Sequence, residues 1–139
     1  MLSEVSPPTA LAPFAAAALT GGNPFRTMML TWKYTMPAFL VPFIYTLSPE
    51  GLGLLLQSPL GDVIQTTLTA AIGVAALAVG FGGWLRRATN LPERVMAVVA
   101  GLLMFYASAI TDVIGIVLFA VVIGIHIVRT RAQPSPVTA

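Results

Sequence analysis

Apolar positions in this chain fall into long unbroken blocks separated by short polar joints. The cleanest block, residues 63–84, holds 22 residues without a formal charge. As a helix it would be about 33 Å long, enough to cross a bilayer core. Residues 95–128 form a second block, 34 positions with Asp112 as the one formal charge. A single helix of that length would measure about 51 Å and tilt by more than about fifty degrees, beyond the usual range of roughly 0–40°. Breaking it at residues 108–112 predicts two short spans, 95–110 and 113–128. Asp112 then sits in the turn and caps the last helix. A third span is expected over 34–47, extended back to Met28, with Lys33 snorkelling to an interface. Pro37 and Pro42 lie inside it; Pro42 leaves the Ala38 carbonyl without its helical partner, so a kink is predicted.

The first apolar run is shorter. It covers residues 9–19, about 16 Å of helix or half a bilayer core. The helix is expected to begin at Pro8 or Thr9, since a proline at the first helical position sacrifices no hydrogen bond. Thr20-Gly21-Gly22-Asn23-Pro24 stops it. A linker with Arg26 and Lys33 follows, over 20–33. Residues 48–62 read as a loop rich in Pro and Gly, with 52–56 a short turn of helix at the interface. Ala76 with Gly80, and Ala97 with Gly101, are small-x-x-x-small pairs that let neighbouring helices approach closely. Trp84 reads as an interfacial anchor. Thr66, Thr67 and Thr69 read as structural.

Composition strengthens the membrane reading. The chain is 57% hydrophobic and 9% charged, against about 25% charged for soluble domains. A soluble core of this size has no room for so much apolar surface. Cysteine is absent, which removes disulfides, thiolate metal sites and thiol nucleophiles. The formal charge of +2 does not point to nucleic acid, because the cations are spread between apolar runs. With four spans, Arg26, Lys33, Arg86, Arg87, Arg94, Arg129 and Arg131 all fall on one side. Glu50, Asp62 and Asp112 fall on the other. That is the positive-inside pattern, and it places the C-terminus in the cytoplasm. Arg86 and Arg87 also suit anionic lipid, although the topological role alone accounts for them.

Chemistry is sparse. No metal-ligand cluster, triad, phosphate loop or carboxylate pair appears, so no enzyme is expected. The Gly80-Phe81-Gly82-Gly83 run lies at a helix end and is not read as a nucleotide loop. His126 has no carboxylate at i±3 or i±4. An interhelical or interfacial hydrogen bond is favoured for it over a proton relay. Ser6-Pro7-Pro8-Thr9 carries the candidate site. Pro7 and Pro8 fix φ and supply no N–H. Unwound backbone exposes carbonyls to a sodium ion, and the helix start that follows offers N–H groups to a carboxylate. The Ser6 and Thr9 hydroxyls add hard oxygen ligands. The plainer reading is that the two prolines simply start a buried or amphipathic helix.

At these residues a family resemblance becomes specific. Residues 6–27, Ser-Pro-Pro-Thr-Ala-Leu-Ala-Pro-Phe-Ala-Ala-Ala-Ala-Leu-Thr-Gly-Gly-Asn-Pro-Phe-Arg-Thr, resemble the last broken helix of the large permease subunit of TRAP transporters. The fused permeases of the TAXI branch are most similar. The similarity continues through residues 38–45 and more loosely through the later helices. Where the family has Thr-Pro-Pro, this chain has Ser6-Pro7-Pro8 and keeps the hydroxyl. The family's other broken helix, its hairpins and most of its substrate pocket have no counterpart in this sequence. The resemblance implies an all-α integral membrane segment, one half-helix followed by four transmembrane helices. Residues 1–47 would end the transport domain, 48–131 would form a three-helix extension, and 132–139 a disordered tail. It further implies sodium-coupled import of small organic acids across the bacterial inner membrane, with a periplasmic solute-binding protein and the rest of the permease as partners. Sodium at Ser6, Pro7, Pro8 and Thr9 would be the coupling ion, with no other cofactor. The alternative is a stand-alone small membrane protein, or a remnant, with a structural or assembly role only.

Overall fold

Five α-helices account for most of the chain in the computed structural model, which describes residues 2–47, 49–106 and 108–132. They are α1 (Leu11–Thr20), α2 (Pro24–Leu47), α3 (Leu60–Gly82), α4 (Leu91–Met104) and α5 (Ala109–Ala132). The all-α expectation holds among the described residues, where an isolated bridge between Trp84 and Ala88 is the only extended pairing. The predicted tail lies outside the described residues, apart from Ala132.

Several boundaries differ from the sequence reading, each for a local reason. Helix α1 starts at Leu11, two residues later than expected, because Ala10 adopts a left-handed conformation with φ 42°. Its end is as predicted: Gly21 is left-handed, and the Gly21 and Gly22 N–H groups both return to the Ala17 carbonyl, the glycine-capped helix stop. Most of the expected linker over 20–33 is helical. Asn23 caps the new helix, its side chain accepting the Arg26 N–H at 3.0 Å, and Pro24 takes the first position, where its missing N–H costs nothing. Helix α2 then runs through both Pro37 and Pro42. A 3-10 turn, Pro49–Leu55, follows and packs between α2 and α3. A Cβ on Gly51 would lie 2.1 Å from the Ile44 carbonyl oxygen, so only glycine lets the turn seat there. Helix α3 closes at Gly82, and Trp84 belongs to the following turn.

The long apolar block does break, as predicted, but earlier. Helix α4 ends at Met104 and α5 begins at Ala109. Thr111 fixes that start: its hydroxyl accepts the Ser108 N–H at 3.3 Å and donates to the Ser108 carbonyl at 2.9 Å. Asp112 is therefore not the cap. It lies in the first turn of α5, 6% exposed, beside the Thr69 side chain of α3.

Consecutive helices from α2 to α5 run antiparallel. Lys33 meets Gly82, while Ile44 shares a core cluster with Ala70 and Leu77. Gly80 faces Arg94 and Val98, while Gly73 faces Gly101 and Met104. Gly115 faces Met104, while His126 faces Glu93. The two small-residue pairs do what their spacing predicts. Ala76 and Ala97 are fully buried, and a Cβ on Gly101 would lie 2.6 Å from Leu77 Cγ and 2.9 Å from the Gly73 oxygen. Backbones approach closely at α3–α4 because Gly73, Gly80 and Gly101 present no side chain there, leaving room for the partner helix's backbone and for Leu77 and Val98. The end of α3 is held by cations. Arg94 donates to the Gly80 carbonyl at 3.0 Å and the Phe81 carbonyl at 3.5 Å, and Lys33 to the Gly82 carbonyl at 3.4 Å. These are orphan carbonyls at the negative end of a helix dipole. Helix α1 packs on α2, with Phe14 edge-on to Phe25 at 6.5 Å.

Large apolar side chains lie on both sides of the helices. Leu77, Met104, Phe105 and Phe119 are buried among alanines and glycines, while Ile110 (73% exposed), Val113 (61%), Val117 (57%) and Val128 (71%) face outward along α5. Helices α3 and α5 are long and apolar enough to cross a membrane.

Candidate functional site

The first predicted site, Ser6 to Thr9, is a turn preceding α1. The Ser6 carbonyl accepts the Ala10 N–H at 3.0 Å. The Thr9 hydroxyl donates to the Ser3 carbonyl, with the Ser6 carbonyl 3.5 Å away. Pro7, Pro8 and Thr9 are exposed and Ser6 is half-buried. The segment thus folds back on itself and keeps these oxygens close together. Among the described residues, no group of three His, Cys, Asp or Glu side chains converges to hold a metal ion.

A second site, at the other end of the chain, is built from charged groups that the sequence reading did not bring together. Helix α4 opens with a capping box. Asn90 precedes Pro92 and Glu93, and the Glu93 Oε2 accepts the Asn90 N–H at 3.1 Å. This fold-back points the carboxylate toward α5 instead of solvent, and Glu93 is only 2% exposed. His126, one turn before the end of the apolar part of α5, is fully buried beside it. Its Nδ1 lies 3.1 Å from Glu93 Oε2. Arg129, one turn further along α5, places a guanidinium nitrogen 3.0 Å from Glu93 Oε1. Its other terminal nitrogen donates to the Ala88 carbonyl at 2.7 Å.

The far side of the imidazole decides its state. The Arg87 backbone N–H donates to His126 Nε2 at 3.3 Å. A nitrogen that accepts carries no proton, so the network assigns the proton to Nδ1, which donates it to Glu93. His126 is therefore a neutral, doubly bonded strut. It joins the basic 83–90 turn to α4 and α5. The interhelical hydrogen bond expected for it is present. With Nε2 occupied by an amide, it has no free nitrogen with which to pass a proton onward.

Glu93 is what sequence reasoning missed. Searching for a His126 partner along its own helix found none, because the partner comes from the antiparallel neighbour. The signal was present as Asn90-x-x-Glu93 before an apolar run, a capping-box spacing. No protein-family model, no curated protein and no solved structure matches this chain.

Proposed function

We propose that this chain is embedded in the bacterial inner membrane, with α2 to α5 crossing it and the C-terminus in the cytoplasm. It serves there as the C-terminal helical part of a TRAP-type secondary transporter. The observation that carries the membrane reading is the outward-facing apolar stripe of α5. From Ile110 to Val128 it covers about 27 Å, close to the roughly 30 Å of a hydrocarbon core. Water would penalise such a stripe and lipid would not. Helix α4, with 14 residues, is about 21 Å long, so its crossing requires local thinning of the bilayer. The break between the end of α4 at Met104 and the start of α5 at Ala109 makes two short crossings cheaper than one overlong one.

The transport reading rests on the resemblance at residues 6–27 together with the short α1 behind its proline turn. In this reading Ser6, Pro7, Pro8 and Thr9 offer oxygens to sodium, the following helix start faces an organic anion, and a periplasmic solute-binding protein delivers it. The chain itself performs no bond chemistry. The test is sodium-driven uptake of small organic acids by membranes carrying the chain with its partners. Replacing Pro7→Ala and Pro8→Ala together should abolish the sodium dependence; unchanged sodium-dependent uptake would refute the role.

One observation favours a second reading, a small membrane protein with a structural or assembly role. Helices α3, α4 and α5 share a core of Ala76, Val79, Ala97, Ala100, Phe119 and Val122 and enclose their own ion pair, so they need no partner to complete it. A monodisperse, partner-free chain in detergent supports that reading. Co-purification with further permease sequence supports the transporter.

A further inference from the structure

The basic end of the bundle holds a groove that neither role uses. It lies between α4 and α5, is lined by Asn90, Pro92, Glu93, Met96, Ile125, Val128 and Arg129, and has a volume of about 500 Å³. Its wall is almost entirely apolar, and its polar residues are Asn90 and the Glu93–Arg129 ion pair. The Arg129 side chain is 26% exposed although it reaches Glu93. A guanidinium has five N–H donors, more than the Glu93 and Ala88 contacts take up.

The charge at that end of the bundle is one-sided. Arg94 is taken up by the end of α3, but the 83–90 turn and the last turn of α5 still hold Arg86, Arg87, Arg129 and Arg131 against a single carboxylate, Glu93. His126 adds no positive charge, since its Nε2 accepts an N–H. A second groove on α5, lined by Val113, Ile114, Val117, Leu118 and Val121, is wholly apolar and has no charged group. A third groove, between α3 and α4, holds Arg94, but that guanidinium is taken by the Gly80 and Phe81 carbonyls. All three suit a hydrocarbon chain, but only the first is lined by an arginine that stands against the basic 83–90 turn.

We infer that the α4–α5 groove binds one anionic glycerophospholipid of the cytoplasmic leaflet. An acyl chain lies along Met96, Ile125 and Val128, and the phosphate faces Arg129 and the 83–90 turn. This rests on the membrane reading above. Charge complementarity selects the lipid: a zwitterionic headgroup brings its own cation, whereas a phosphatidylglycerol-like headgroup satisfies the arginine excess.

The test uses the full chain in vesicles of phosphatidylcholine with or without phosphatidylglycerol of the same acyl chains, followed by mild extraction and mass measurement of retained lipid. Phosphatidylglycerol should be retained over phosphatidylcholine by about fivefold or more, the factor expected for each charge contact near the surface. Ile125→Trp fills the groove from an exposed position and should remove the retained lipid without lowering the unfolding temperature. Arg86→Gln with Arg131→Gln should keep retention and lose the preference. Val117→Trp, in the uncharged groove, should change neither. Equal retention of the two lipids, or equal effects of Ile125→Trp and Val117→Trp, would overturn the site and leave the membrane reading standing. A chain that floats with neither vesicle would overturn the membrane reading and the site with it.

Discussion

Glu93 occupies a position where a carboxylate is costly to hold. Its side chain is 3% exposed, and such a charge is tolerated only when paired and hydrogen-bonded. Three groups meet that need: the Asn90 N–H, the His126 Nδ1–H and the Arg129 guanidinium. Removing the carboxylate leaves the buried histidine donor and the guanidinium without their acceptor. We therefore expect Glu93→Ala to destabilise the chain by about 3–5 kcal/mol, read from unfolding in detergent micelles. Glu93→Gln, which keeps an acceptor oxygen, should cost clearly less. Equal stability of Glu93→Ala and the parent chain would show that the cluster does not hold the helices together. His126 belongs to the same unit, so its substitution should be non-additive with that of Glu93, as expected for residues in contact.

At the scale of the element, the α3–α4 contact depends on what is missing from its side chains. Gly101 sits against Leu77 and the Gly73 carbonyl. Gly101→Ala must displace backbone as well as a side chain, at about 1–3 kcal/mol. Gly124 is also inside a helix, but a Cβ there would meet nothing within 4 Å. Gly124→Ala should instead stabilise by up to about 1 kcal/mol through helix propensity. Thermal unfolding of the two variants side by side separates close packing from propensity, because only packing predicts opposite signs. The elements themselves were largely legible. The 63–84 run located α3 to within three residues at each end, and the small-residue spacings located its contact with α4. The start of α2 is less legible, because Asn23-Pro24 both ends one helix and caps the next, and the stop signal masks the start. Asp112 was misassigned for a related reason. Its place near a helix start suggested a cap, but Thr111 performs that task and frees Asp112 to turn toward Thr69.

At the scale of the whole molecule, antiparallel order gathers cations at one end. Lys33 and Arg94 meet the end of α3, and Arg129 meets the 83–90 turn. Asp112 and Asp62 lie in the first turns of α5 and α3, at the opposite end. In a membrane this arrangement sets orientation. Because the chain has no cysteine, single cysteines report it directly. We expect Gln57→Cys and Arg86→Cys to react with an impermeant thiol reagent from opposite faces of a sealed vesicle. Reaction from the same face would rule out the four-span topology.

What the sequence determined by itself is the class of structure and its periodic content. Blocks of apolar residues of helical length, glycine and proline at the joints, and cations between alternate blocks are all local properties. They follow from backbone hydrogen bonding and the solvent each residue prefers. What only the tertiary structure decided is which charges meet. Glu93 and His126 are 33 positions apart, and Arg87 reaches His126 across 39. Neither separation follows a helical period, because it depends on α4 ending at Met104 and α5 starting at Ala109. A shift of one residue in that joint would turn His126 about 100° around α5 and away from Glu93. The register of the hairpin, set by the Gly115–Met104 contact and the Thr111 cap, therefore created the buried cluster and the groove beside it.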